Sequence, residues 1–151
     1  TGAIINTSLV QGITLAIAVL GAVLGVMNTW FALDRSRLKL RVTPKHAIPI
    51  GGAPSHLQFC IEVQNLSDFS VTIEEVGVFY RGTKERGYIR PSLLSGQQWP
   101  CRLEARSSVT VYSEKPSSPP GRQIRAVYAK TACGRTKTGT SGALKQIARE
   151  S

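Results

Sequence analysis

No residue before Asp34 carries a charged side chain, and the chain is mostly apolar through the 21 residues from Ile13 to Leu33. At about 1.5 Å of rise per residue, a helix of that length covers about 31 Å, the hydrocarbon thickness of a bilayer. A secretory signal would open with basic residues and close on a small-residue cleavage site. This stretch instead opens uncharged and ends in Trp30-Phe31-Ala32-Leu33-Asp34-Arg35, an aromatic pair followed by charge. A soluble core helix rarely stays apolar all round for so long. The reading is a membrane span at 13–33, preceded by a short tail (1–12) and followed by a basic tether (34–37). Thr1 fits removal of an initiator methionine before a small residue, as for an uncleaved anchor.

The basic residues Arg35, Arg37, Lys39, Arg41 and Lys45 follow the stretch at once, while its N-terminal flank has none. By the positive-inside rule this places the C-terminal part in the cytoplasm, at the inner (plasma) membrane, with the N-terminus outside. The same five residues are the expected contact with anionic lipid head groups, each contributing on the order of 1 kcal/mol near such a surface. Within the span, Gly21-Ala22-Val23-Leu24-Gly25 is a GxxxG motif. Ala18, Gly21, Gly25 and Asn28 share one helix face, where small residues admit a second backbone and an amide can bond across the contact. The expected partner is another copy of the chain or another membrane helix.

The 118 or so residues beyond the anchor suffice for one domain with its own core. They carry all of the formal net charge of +10, which favours anionic partners without choosing among lipid, nucleic acid and acidic protein. Cys60, Cys101 and Cys133 form neither a zinc pattern nor a disulfide framework. With His46 and His56 unclustered, no metal and no cofactor is expected. The thiols are expected to be reduced, at least some of them packed in a core; a Cys60–Cys133 or Cys101–Cys133 bridge would need an oxidising compartment.

Alternation of apolar and polar residues marks the strands. Leu38, Leu40 and Val42 face a core opposite Lys39 and Arg41. The segment from Pro44 to Pro54, with three prolines and two glycines, reads as a loop. Leu57, Phe59, Ile61 and Val63 define a second strand, and the turn formers Asn65-Leu66-Ser67-Asp68 join it to a third, Val71 to Tyr80, in what reads as a hairpin. The apolar parity of that third strand changes at Glu74-Glu75, which predicts a β-bulge. From Gly82 to Gln98 the chain is polar, with a short strand at Tyr88-Ile89; Trp99-Pro100 and Leu103 cover an end of the core. Strands follow at Ser107 to Ser113 and Ile124 to Thr131, separated by a proline-rich loop. Cys133-Gly134 turns into a closing strand from Arg135 to Thr138, and Ser141 caps a short helix through Ala143, Leu144, Ile147 and Ala148.

Several short strands with turns between them predict a mainly β fold: a β-sandwich at 38–140 with a C-terminal helix or tail at 141–151. Phe59-Cys60-Ile61-Glu62-Val63-Gln64-Asn65 with Val71-Thr72-Ile73, and Leu103-Glu104-Ala105-Arg106-Ser107-Ser108-Val109-Thr110-Val111, resemble immunoglobulin-like and fibronectin-like domains. The whole arrangement is similar to uncharacterised bacterial membrane proteins that place one such domain after a single helix. That resemblance implies an antiparallel immunoglobulin-like sandwich and brings no catalytic residue to any position.

The residues offer little chemistry of their own. Glu74 and Glu75 point to opposite faces of a strand unless the bulge intervenes. Gly134-Arg135-Thr136-Lys137-Thr138-Gly139-Thr140 lacks the order of a phosphate loop and reads as a hairpin with a basic edge. Cys133 lies near Lys130 and Arg135, which lower a thiol's pKa, with no histidine nearby to make a nucleophile pair. Tyr80, Arg81, Lys84, Arg86, Tyr88 and Arg90 interleave aromatics with cations as single-strand binders do, but a solvated basic loop anchored by two tyrosines is the preferred reading, and nucleic acid is not the favoured partner. The expectation is a membrane-anchored interaction or scaffold module that is not an enzyme and self-associates through its helix. Two alternatives stand beside it: a structural subunit of a virion or cell-envelope assembly, and recruitment of nucleic acid or an acidic partner to the membrane.

Overall fold

A computed structural model describes residues 2–91 and 98–150. The chain divides into two units, one ending at Arg37 and the other beginning at Leu38. The first is a single α-helix, α1 (Gly2–Arg35), which is long and apolar enough to cross a membrane. It takes in residues 2–12, where no proline interrupts the backbone, and two of the four positions expected as tether. Ser36 ends it: its N–H bonds to Ala32 O (3.2 Å) and its Oγ donates to Leu33 O (2.8 Å), satisfying carbonyls of the last turn. Leu15, Leu20, Leu24 and Trp30 each expose more than half of their surface.

The second unit contains, among the described residues, β1 (Leu40–His46), β2 (Phe59–Asn65), β3 (Val71–Tyr80), β4 (Arg86–Tyr88), β5 (Cys101–Leu103), β6 (Ser108–Ser113), β7 (Ile124–Thr131), β8 (Thr136–Gly139) and a short helix, α2 (Gly142–Glu150). All pairings are antiparallel. One sheet has the order β1-β2-β6; the other has the order β4-β3-β7-β8, with β5 pairing with the first residues of β3. A single core joins them. Phe59, Ile61 and Val63 of β2 and Val109 and Val111 of β6 meet Ile73, Val76 and Val78 of β3 and Val127 and Ala129 of β7. Burying each large aliphatic or aromatic side chain contributes about 1.5–3 kcal/mol. Leu144 and Ile147 complete the core from α2, whose first turn is capped by Ser141 Oγ accepting from Leu144 N (3.2 Å).

The bulge falls where the change of parity predicts it. Ile73 pairs with Thr131 but Glu75 pairs with Lys130, so Glu74 is the extra residue. Its carbonyl, off the ladder, accepts from Trp99 Nε1 (2.9 Å), which seats Trp99 against the core. Cys133-Gly134 does form the turn into β8, with Gly134 at φ +84°.

Two expectations are corrected. First, β2 and β3 are not a hairpin, for they lie in different sheets. The Asn65 side chain redirects the turn: its Nδ2 donates to Phe69 O (2.8 Å) and Glu104 O (3.0 Å), and its Oδ1 accepts from Ser67 N (3.0 Å). These bonds tie residues 66–69 to the β5–β6 connection instead of closing a ladder. Second, the loop expected from Pro44 begins only after His46. β1 is an edge strand, where a residue without an N–H is tolerated, and Pro44 pairs in register with Ile61. The short strand expected at Tyr88-Ile89 is β4, which begins two residues earlier and ends at Tyr88; Ile89 is buried and its N–H bonds to Val76 O (3.0 Å). The part of the expected polar stretch at 92–97 lies outside the described residues.

Candidate functional site

Ala18, Gly21, Gly25 and Asn28 all sit on α1, at spacings that keep them on one face of a continuous helix. A methyl group built on Gly21 or Gly25 meets nothing within 4 Å, so that face is open. The helix satisfies its own hydroxyls: Thr7, Thr14 and Thr29 donate to Ala3, Val10 and Gly25 carbonyls at 2.8–2.9 Å. Such back-bonding removes the need for water around a threonine. The amides of Gln11 and Asn28 have no such partner among the described residues.

The five basic residues divide between the units. Arg35 closes the last turn of α1, and the Arg37 guanidinium lies 5.9 Å from the Trp30 ring centroid, a cation–π contact. On β1, Arg41 and Lys45 point to the same side, opposite the buried Val42. Lys45 is not available as a bare cation: it pairs with Glu62 (2.6 Å), which holds the carboxyl below its usual range and raises the lysine. Lys39 is fixed through its backbone. Its N–H donates to Ser67 Oγ (2.8 Å) and its carbonyl accepts from Leu66 N (2.7 Å). The chain is thus clamped into the domain one residue after its first buried side chain, Leu38.

The most elaborate polar cluster lies on the β4-β3-β7 sheet, and the sequence reading did not assemble it. Gly77 leaves room on β3 for the ring of Tyr128 from β7, whose Cε1 would be 2.8 Å from any added Cβ. Phe79 packs on that ring at 4.5 Å, and Arg86 from β4 covers it at 5.8 Å. The Tyr128 hydroxyl donates to Glu75 Oε1, and Arg86 Nε lies 3.6 Å from the same carboxylate. Burial first, and donation to Glu75 second, push the phenol well above its ordinary pKa. Tyr128 therefore stays a neutral donor. The bulge separates the adjacent carboxylates: Glu75 serves this cluster and Glu74 faces Lys130 (3.5 Å). The alternation of β7 hid the cluster, because Tyr128 has no exposed surface although it lies opposite Val127 and Ala129 on the strand.

The aromatic and basic residues from Tyr80 to Arg90 do not form one continuous face. Tyr80 is in the core and Arg86 is committed to Glu75 and Tyr128, which leaves Arg81, Lys84, Tyr88 and Arg90 exposed. A cleft of about 530 Å³ opens beside them, floored by Leu57 and Ile89 and rimmed by His56, Tyr88, Arg90 and Lys115. Lys115 is occupied by Glu150 (2.5 Å).

All three cysteines are free. Cys60 and Cys101 are buried, and burial raises both thiols. Cys133 is exposed in the β7–β8 turn. A hydrogen bond between the Thr131 hydroxyl and the Cys133 sulfur (3.1 Å), then the backbone at Arg135, lowers its thiol pKa. Among the described residues no three of His, Cys, Asp and Glu gather as a metal site requires. No protein-family model matches the chain, and no curated protein matches it in sequence.

Proposed function

We propose that this is a single-pass membrane protein whose C-terminal domain, an immunoglobulin-like β-sandwich, acts as a non-catalytic interaction module, and that two or more copies associate through α1. One observation carries the reading: α1 exposes apolar side chains along its whole length, while its threonines return their hydroxyls to the helix backbone. Water is a poor solvent for such a surface and lipid a good one. Among the side chains on that surface, Asn28 retains an amide that hydrocarbon cannot satisfy, on the same face as Gly21 and Gly25. Arg35, Arg37 and Arg41 support a cytoplasmic domain resting near anionic head groups.

Association is tested by cross-linking the full chain in membranes. Gly21→Leu/Gly25→Leu is expected to reduce the cross-linked dimer at least severalfold, since bulky side chains hold the backbones apart. An unchanged yield would remove self-association from the proposal. Orientation is tested separately with a membrane-impermeant maleimide on intact cells. Cys133 alone presents an exposed thiol in the folded domain, so the label reads one position. Labelling is expected only after lysis, and labelling of intact cells would put the domain on the outside.

A further inference from the structure

We propose that the cleft between the proline-rich loop after β6 and the last turn of α2 binds a phosphate group, as a phosphomonoester. The cleft, of about 750 Å³, is lined by Arg81, Ser118, Gly121, Arg122, Gln123 and Arg149 among others, and among the described residues no carboxylate lines it. These residues come from three distant parts of the sequence, and the backbone holds them together. Arg81 N–H donates to Gln123 O (2.7 Å), and Arg122 N–H donates to Pro119 O (3.0 Å) across a turn whose Gly121 has φ +78°. The Lys115–Glu150 pair fastens the loop to α2.

Two independent features point to a ligand. The first is charge. Arg122 engages Glu85, whereas Arg81 and Arg149 have no acidic partner among the described residues. Two arginines without an acidic partner among the described residues line one depression, and an anion there would offset their mutual repulsion. The second is a hydroxyl. Ser118 Oγ is buried without a hydrogen-bond partner among the described residues, a position that destabilises the free protein. A phosphomonoester answers both: its two negative charges match the two guanidinium groups, their planar forks suit its oxygens, and a further oxygen can accept from the Ser118 hydroxyl. A carboxylate would carry half of that charge. The cleft is larger than phosphate alone needs, so the ester group has room.

The shared chemistry is the phosphomonoester, whether soluble or carried on a lipid head group, and it does not depend on the orientation of α1. The test titrates the full chain, in micelles of an uncharged detergent at fixed ionic strength, with inorganic phosphate and with short-chain phosphatidic acid, following the heat of binding. Short-chain phosphatidylcholine is the control without a monoester. Saturable binding of phosphate and phosphatidic acid with similar affinity identifies a soluble ligand, and much tighter phosphatidic acid identifies a lipid. In either case Arg81→Gln and Arg149→Gln are each expected to weaken binding at least tenfold. Arg135→Gln, which removes the same charge at the opposite end of β7, should change it less than twofold. Ser118→Ala separates a ligand role from a structural one: affinity should fall severalfold while the Tm of the unliganded protein stays level or rises. The proposal is overturned if neither compound binds saturably, if phosphatidylcholine binds equally well, if Arg135→Gln weakens binding as much as the cleft variants, or if Ser118→Ala lowers Tm and leaves affinity unchanged.

Discussion

Asn65→Ala is expected to destabilise the C-terminal domain by about 3–5 kcal/mol, much of the 5–15 kcal/mol that a domain of this size usually has. The residue has no exposed surface, and its amide serves backbone groups of two separate segments, the 66–69 turn and the start of the β5–β6 connection. Nδ2 donates to Phe69 O and Glu104 O, with Leu103 O at 3.4 Å, and Oδ1 accepts from Ser67 N. Glu104 O keeps its bonds from Ser107, but truncation takes from Ser67 N and Phe69 O the bonds made by this side chain, and each polar group so deprived costs about 1–3 kcal/mol. Asn65→Asp should be no better, because a carboxylate keeps the bond to Ser67 but presents negative charge to the carbonyls. Urea unfolding of the full chain in micelles, followed by the far-ultraviolet β signal, measures the effect. A loss below about 1 kcal/mol would mean that water reaches the carbonyls and that the turn holds without its side chain.

Gly139→Ala has a comparable effect by a different route. A Cβ there would lie 1.7 Å from the carbonyl oxygen of Val42 and 2.6 Å from its carbon. Those atoms are backbone and cannot rotate aside, so β8 and β1 must separate where the edges of the two sheets meet. Overpacking costs about 1–3 kcal/mol where side chains can adjust, and a backbone obstacle places this change at or above the top of that range, at about 3 kcal/mol or more. Gly142→Ala is the comparison. A methyl there meets nothing within 4 Å, so the unfolding midpoint should hold or rise slightly, as alanine favours helix. Equal midpoints for the two variants would show that β1 and β8 are not in close contact in solution.

Most of the elements were legible because each is a local pattern. β7 runs from Ile124 to Thr131 as its alternation predicts, the parity change in β3 locates the Glu74 bulge, and Ser141 caps α2. Pairing was less legible. A turn of Asn, Ser and Asp between two alternating runs is also what a hairpin shows, and only the partners of the Asn65 amide, some forty residues away, distinguish the two. β5 has three residues, too few for a period to register. The helix-face residues Ala18, Gly21, Gly25 and Asn28 could be chosen from spacing alone because a helix maps sequence onto a face. The Arg81, Ser118 and Arg149 cleft could not, because its members meet only after three segments have folded together. The Tyr128 cluster was hidden for a related reason: it needs the gap at Gly77, and a glycine in a strand signals a gap without naming what fills it.

The reach of the core from Leu38 and Val42 to Leu144 and Ile147 sets an order of events during synthesis. α1 is made before the domain and has no partner within its own unit, so an apolar helix is exposed while the domain is still incomplete. β1 follows but cannot settle, because β8, which closes against it at Gly139, is made some hundred residues later. The final core side chain leaves the ribosome only with α2. The C-terminal domain therefore folds after translation of that helix rather than strand by strand. For as long as that takes, the strands of both sheets are exposed to whatever chaperones attend the emerging chain.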